Sequence, residues 1–235
     1  MEEQTKYDDL KSAVIKVLGR GDLPTAAQIR NVINEYRTFP AFQVSDGLAE
    51  KMARELETSL GISMEIGSII TERDYVEWLS AAKASIDPYY WERYRELLEN
   101  KYFPPRVLAK LDEVTDKTLG LLGNPREAGP WDRRGMVVGH VQSGKTANYT
   151  GLICKAADAG YRLIIVIAGI HNNLRNQTQQ RIDEGFIGKD TSRLLTGNAS
   201  KYIGVGKIDT QHIPVSLTSS LRDFNKREAE TNAFT

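Results

Sequence analysis

The sequence has one cysteine, Cys154, in 235 residues. An internal disulfide is impossible, and a reducing, cytoplasmic setting is expected. It carries no excess of charge: 31 basic residues stand against 31 acidic ones. That balance argues against a broad nucleic-acid-binding surface and leaves only local basic patches. Long hydrophobic runs are missing as well. The longest, Leu163 to Gly169, is far too short to span a bilayer. The N-terminus, MEEQTKYDDLK, is acidic and polar, unlike a secretory signal, so no membrane partner is expected. The histidines, His140, His171 and His212, stand alone, with no Cys/His metal spacing. The Asn-Lys-x-Asp segment with which a GTPase reads guanine is absent.

What is present divides at a linker. Gly123, Asn124, Pro125, Gly129 and Pro130 cluster there, and such clusters mark loops and domain boundaries. Before it, apolar residues recur at helical spacing. Leu10, Ala13, Val14, Val17 and Leu18 form one face; Ile29, Val32, Ile33 and Tyr36 form another, opened by the capping-box pattern Thr25-Ala-Ala-Gln28. Ala49, Met52, Ala53, Leu56 and Leu60 follow, with Gly61 as a stop. Further helices carry Tyr75, Leu79, Ala82 and Ile86; then Tyr90, Trp91, Tyr94, Leu97 and Leu98 behind an Asp87-Pro88 start; then Val107, Leu111, Val114 and Leu121. The aromatic stripe at Tyr89, Tyr90, Trp91 and Tyr94 is expected to pack rather than to stack on bases. Residues 1–128 are expected to form an all-α domain.

Beyond the linker the pattern changes. The run from Gly135 to Gly139 and the run from Arg162 to Ala168 are short, apolar and β-branched, as buried parallel strands are. Between them lies GHVQSGKTANYTG, followed by a helical stretch from Thr146 to Ala159 that Gly160 ends. Strand, loop, helix and strand predict a βαβ unit. The expected fold is therefore α+β: an all-α N-terminal domain, then, over 129–235, the opening portion of an α/β P-loop nucleotide-binding (RecA-like) core.

The loop carries the chemistry. Gly139, four residues, then Gly144-Lys145-Thr146 is the spacing of a phosphate-binding loop. The glycines let backbone N–H groups approach phosphate oxygens, and a helix opening there points its free N–H groups at the same anion. Lys145 is expected to reach the β- and γ-phosphates, and Thr146 to ligate Mg²⁺. Gln142, Ser143 and Ala147 complete the candidate nucleotide site, with ATP and Mg²⁺ as cofactors; His140 is expected to be a spacer. After the second strand, HNNLRNQTQQRIDEG is rich in amides and arginine. Asn173, Arg175 and Gln177 are candidate nucleic-acid contacts, since such groups bind phosphate backbones, and Trp131 is a candidate for stacking on the adenine.

Strand, phosphate loop, helix and IIVIAGIHNNLRNQTQ resemble the opening of a superfamily-two helicase core, with Leu174 and Gln177 at matching positions. The stretch from Tyr89 to Phe224, including PYYWERYRELL and PVSLTSSLRDFN, more closely resembles the Z-one domain family. These large bacterial proteins are often described as endonucleases and are found near restriction-modification or phage-defence genes. The resemblance implies an ATP hydrolase with a helicase-like motor, directed to DNA, with defence-system proteins as partners. It also implies that the acidic strand motif lies beyond residue 235, so that this chain is an N-terminal fragment.

The acids present do not replace that motif. Asp183-Glu184 follows a polar stretch, Asp209 a glycine-containing one, and Asp223 the segment LTSSLR; none ends a hydrophobic strand. The fragment is expected to bind ATP without hydrolysing it. The carboxylate cluster of a metal nuclease is likewise missing. A nucleotide-gated scaffold that recruits a partner through its helical domain is the alternative reading.

Overall fold

The computed structural model describes residues 2–19, 24–60, 75–129, 132–137, 145–169, 171–193, 201–224 and 226. The chain divides into two compact units that alternate along the sequence: 1–70, 98–114 and 136–145 in the first, and 71–97, 115–135 and 146–235 in the second. The linker boundary expected near 128 falls inside the second unit's segment 115–135.

In the first unit, α1 (Glu2–Leu18), α2 (Ala26–Tyr36) and α3 (Asp46–Leu60) bury most of the faces their spacing marks, though Val17 of α1 is exposed. Tyr7, Leu10 and Val14 of α1 meet Ile29 and Ile33 of α2 and Ala49, Met52, Ala53 and Leu56 of α3 in one core. Thr25 and Gln28 form a complete capping box at the start of α2, side chain to backbone in both directions. Polar contacts fix how the helices meet. Glu55 of α3 accepts from Tyr7 Oη at 2.9 Å and from Lys11 Nζ at 2.5 Å, both on α1. Arg37, just past α2, donates to the Val44 carbonyl at 2.9 Å. The expected stop at Gly61 lies outside the described residues.

The second unit is built from α4 (Leu79–Ala82), most of α5 (Tyr89–Asn100), the end of α6 (Pro105–Leu121), α7 (Lys145–Ala159) from Thr146 onward and α8 (Asn172–Ile182). Leu79, Leu119, Ala156 and Ala159 form a buried cluster with Trp78, Ile86, Leu122, Leu152, Tyr161 and Ile164 against it. Trp78 donates its indole N–H to the Leu122 carbonyl at 2.8 Å, and the Tyr75 and Tyr161 hydroxyls donate to the carbonyls of Gly120 and Gly123. The helix expected across Tyr75 to Ile86 is shortened to α4 and a following turn of 3-10 helix, Lys83–Ser85.

The aromatic stripe packs, as expected. Trp91 and Tyr94 are buried, and Lys155 of α7 sets its ammonium 4.5 Å from the Trp91 ring centroid. Lys155 is itself buried and paired with Asp116 of α6 at 2.5 Å. Arg93 is buried too, and its guanidinium donates to the carbonyls of Phe186, Asp209 and His212 at 2.5, 3.1 and 3.4 Å. One α5 side chain thus fastens the helical segment Asp183–Ile187 and the loop at 209–212.

The α/β core is not observed. Among the described residues there is no strand; only the isolated antiparallel bridges Lys189↔Tyr202 and Ser219↔Arg222 occur. The described residues form an all-α structure. The expected strands at 135–139 (described to 137) and 162–168 are irregular backbone. Most of their apolar side chains face solvent: Met136 is 85% exposed, Ile165 76% and Ile167 92%, while Ile164 packs against the Leu79 cluster. The physical reason is that a strand does not satisfy its own N–H and C=O groups. An apolar β-branched run supplies propensity, while the ladder must come from a neighbour, which the described residues do not provide. No helix among them is long and apolar enough to cross a membrane.

Candidate functional site

The phosphate-loop residues Gly139, Gln142, Ser143 and Gly144 lie outside the described residues, as do His140 and Trp131. What is described begins at the helix. α7 opens at Lys145, directly after the glycine of the motif, and Thr146 and Ala147 occupy its first turn. The first amides of an α-helix have no partner within it and carry its positive dipole end. Ala147 is buried, which turns its methyl inward. Thr150, one turn on, is buried as well.

α7 is anchored firmly. Cys154 is wholly buried, with its thiol 3.7 Å from the Gly185 carbonyl, and burial pushes its pKa well up, so it is a core residue and no nucleophile. Asp158 takes the amides of Tyr90 and Trp91 at the start of α5. Asp87 is the cap that the sequence suggests there; the acceptor comes instead from a helix far along the chain. At its C-terminus α7 ends in a Schellman turn: Tyr161 N–H to the Ala156 carbonyl and Gly160 N–H to that of Ala157, both at 3.0 Å, with Gly160 at φ +109°.

The hydroxyl of Thr146 has a partner that spacing does not indicate. Arg181, in the last turn of α8, donates from Nη1 to Thr146 Oγ1 at 3.0 Å. The hydroxyl expected to ligate Mg²⁺ thus accepts from Arg181 in this structure. Among the described residues no three His, Cys, Asp or Glu side chains gather to hold a metal ion.

The candidate nucleic-acid contacts separate. Asn173 and Gln177 lie exposed on α8, four residues apart and so on one face. Arg175 is turned inward: it donates to the carbonyls of Ser219 and Ser220 at 2.9 and 3.1 Å and pairs with Asp223 at 3.2 Å. It holds the 219–223 turn.

The acids are likewise engaged. Asp183 is buried, accepting from the Thr191 amide at 3.1 Å, the Thr191 hydroxyl at 2.6 Å and Gln179 at 2.8 Å. Burial raises its pKa, against those hydrogen bonds. Asp209 accepts from the Tyr89 hydroxyl and from the Gln211 amide at 2.7 Å, and the first of these chiefly lowers its pKa. Between these groups the backbone is tightly apposed: Gly188, at φ +83°, lies against Gly206, where an added Cβ would come within 2.8 Å of the Gly206 Cα and N.

No protein-family model, curated protein or solved structure matches this chain.

Proposed function

We propose that the chain binds the polyphosphate tail of a nucleoside triphosphate, ATP by the resemblance, through residues 139–147. One observation carries the reading: a regular helix opens at Lys145, immediately after the second glycine of a GxxxxGKT run, with Thr146 in its first turn. Loop glycines, an ammonium and free helix amides in that order are what a phosphate chain needs.

The same reading makes the chain alone a binder and no hydrolase. Hydrolysis needs a carboxylate available to the metal and the attacking water. Asp183 is buried against Thr191, Asp209 is held by Tyr89, and Asp223 pairs with Arg175. The wider role, a DNA-directed, helicase-like ATPase acting with restriction or phage-defence proteins in the cytoplasm, rests on the Z-one resemblance. Asn173 and Gln177 on the open face of α8 are the residues proposed to meet nucleic acid.

Calorimetric titration with ATP tests the core of this. ATP should bind and be displaced by inorganic tripolyphosphate. Lys145→Ala should weaken binding by roughly tenfold or more, the loss of one charge-assisted contact, and neither protein should turn ATP over. No heat on titration with the folded chain would overturn the reading; turnover abolished by Lys145→Ala would overturn the claim that the chain cannot hydrolyse.

A further inference from the structure

We propose that the chain pairs with a second copy of itself through the apolar surface presented by Leu163, Ile165 and Ile167, the two copies meeting antiparallel about a two-fold axis at Ile165. The inference does not depend on the phosphate-site reading, and every residue of the surface belongs to the second unit. It starts from an alternation along the chain. Leu163, Ile165 and Ile167 are 64%, 76% and 92% exposed, whereas Ile164 and Ala168 are half-buried and Val166 is 42% exposed. Side chains that alternate in this way point to opposite sides of the backbone. One row is held to the protein, since Ile164 packs against the cluster of Leu79, Leu119, Ala156 and Ala159. The other row is open to water.

The surface is bounded at both ends by glycines in the left-handed region, Gly160 at φ +109° and Gly169 at φ +98°. At the second of these it continues onto α8: a Cβ added to Gly169 would lie 3.8 Å from Leu174 Cδ1, and Leu174 is exposed as well.

Charge, fit and area each select a second copy as the occupant. No residue from Leu163 to Gly169 is charged, and Arg162 stands at one end. An antiparallel copy carries its arginine to the opposite end, while a parallel copy would set two guanidiniums side by side. A charged partner segment would lose hydration there with nothing to pair its charges. About an axis at Ile165, that residue meets its own counterpart and Leu163 meets Ile167, so each exposed aliphatic side chain faces another. A two-fold contact of this kind is closed. The exposed parts of Leu163, Ile165, Ile167 and Leu174 amount to on the order of 500 Å² per copy, about 1,000 Å² for the pair, which reaches the lower bound for a specific contact.

Sedimentation velocity of the whole chain over a range of concentrations tests this, with circular dichroism as the check on folding. The wild type should pass from one copy to two with a dissociation constant on the order of 10 μM, as an interface at the small end of the range gives, and go no further. Below that concentration the surface is open. Ile165→Lys sets two ammonium groups against each other at the axis and should weaken pairing at least about tenfold. Should that variant disturb the fold, Ile165→Thr, which keeps the branched shape and loses apolar area, must still weaken pairing. Met136→Lys, at an exposed apolar residue outside this surface, should leave pairing unchanged. A wild type that stays single, assemblies that keep growing with concentration, or equal weakening by Met136→Lys would overturn the proposal. The phosphate-site reading is tested separately, by the titration with ATP.

Discussion

Asp158 of α7 holds the amide of Trp91 at 3.0 Å with one carboxylate oxygen, while the other takes the amide of Tyr90 at 2.8 Å. An acid on one helix thus caps the N-terminus of another, where negative charge is favoured. Burial nevertheless outweighs these hydrogen bonds and pushes the Asp158 carboxyl up to about 6. The folded state therefore binds a proton more tightly than the unfolded chain, whose Asp titrates near ~3.9. The associated stability is full below about pH 4 and is lost as pH rises through about 6. Asp158→Asn removes that titration. The unfolding free energy of the wild type relative to Asp158→Asn should fall by about 2 kcal/mol between pH 4.5 and 7.5, as measured by urea denaturation.

The pair of buried Lys155 and half-buried Asp116 predicts an asymmetry. Asp116→Ala leaves an ammonium buried, with the Trp91 ring beneath it, and should cost roughly 3 kcal/mol. Lys155→Met keeps the contact with the ring and leaves Asp116 to its other partner, Lys83; it should cost about 1 kcal/mol or less. Equal losses in chemical denaturation would contradict this account of the pair.

Two glycine substitutions should differ sharply. Gly160 sits at φ +109° with open space around its missing Cβ, so Gly160→Ala should cost only the left-handed backbone penalty, roughly 1–2 kcal/mol. At Gly206 an added Cβ would come within 2.9 Å of the Gly188 Cα, and backbone stands in the way. Gly206→Ala must push the Gly188 and Gly206 backbones apart. It should lower the thermal midpoint by well more than Gly160→Ala, as differential scanning fluorimetry would record.

Arg175 and Asn173 are neighbours on α8 with different duties. Arg175→Ala frees the carbonyls of Ser219 and Ser220, both buried residues, and should destabilise the chain by about 1–3 kcal/mol. Asn173→Ala, at an exposed position, should leave stability within about 0.5 kcal/mol. A nucleic-acid binding assay in which Asn173→Ala reduces affinity while melting remains unchanged would support the open α8 face; a stable Arg175→Ala protein would count against its structural role.

Local signals are legible in the sequence. The Thr25/Gln28 capping box, the apolar faces of α1 to α3 and the start of α7 at the phosphate motif depend on residues a turn or so apart, and each forms where its pattern lies. Relationships across long separations are not legible. No spacing rule joins Asp158 to Tyr90, Arg93 to His212 or Arg181 to Thr146, because nothing local relates them. The same limit explains the α/β expectation. Residues 162–168 have the composition of a buried strand, but strand formation depends on an adjacent backbone, and the segment is instead irregular and exposed. Asn173, Arg175 and Gln177 look alike by composition; only the 219–223 turn distinguishes the arginine.

The uncovered aliphatic side chains at Leu163, Ile165 and Ile167 bear on how this protein's behaviour in solution is followed. Environment-sensitive dyes such as ANS fluoresce on exposed apolar surface, and their signal is often taken as the mark of a loosened, molten state. Here a fully native sample should already light the dye. Near-ultraviolet circular dichroism, which reports fixed packing around aromatics such as Trp91, would separate native from loosened chains where dye intensity would not.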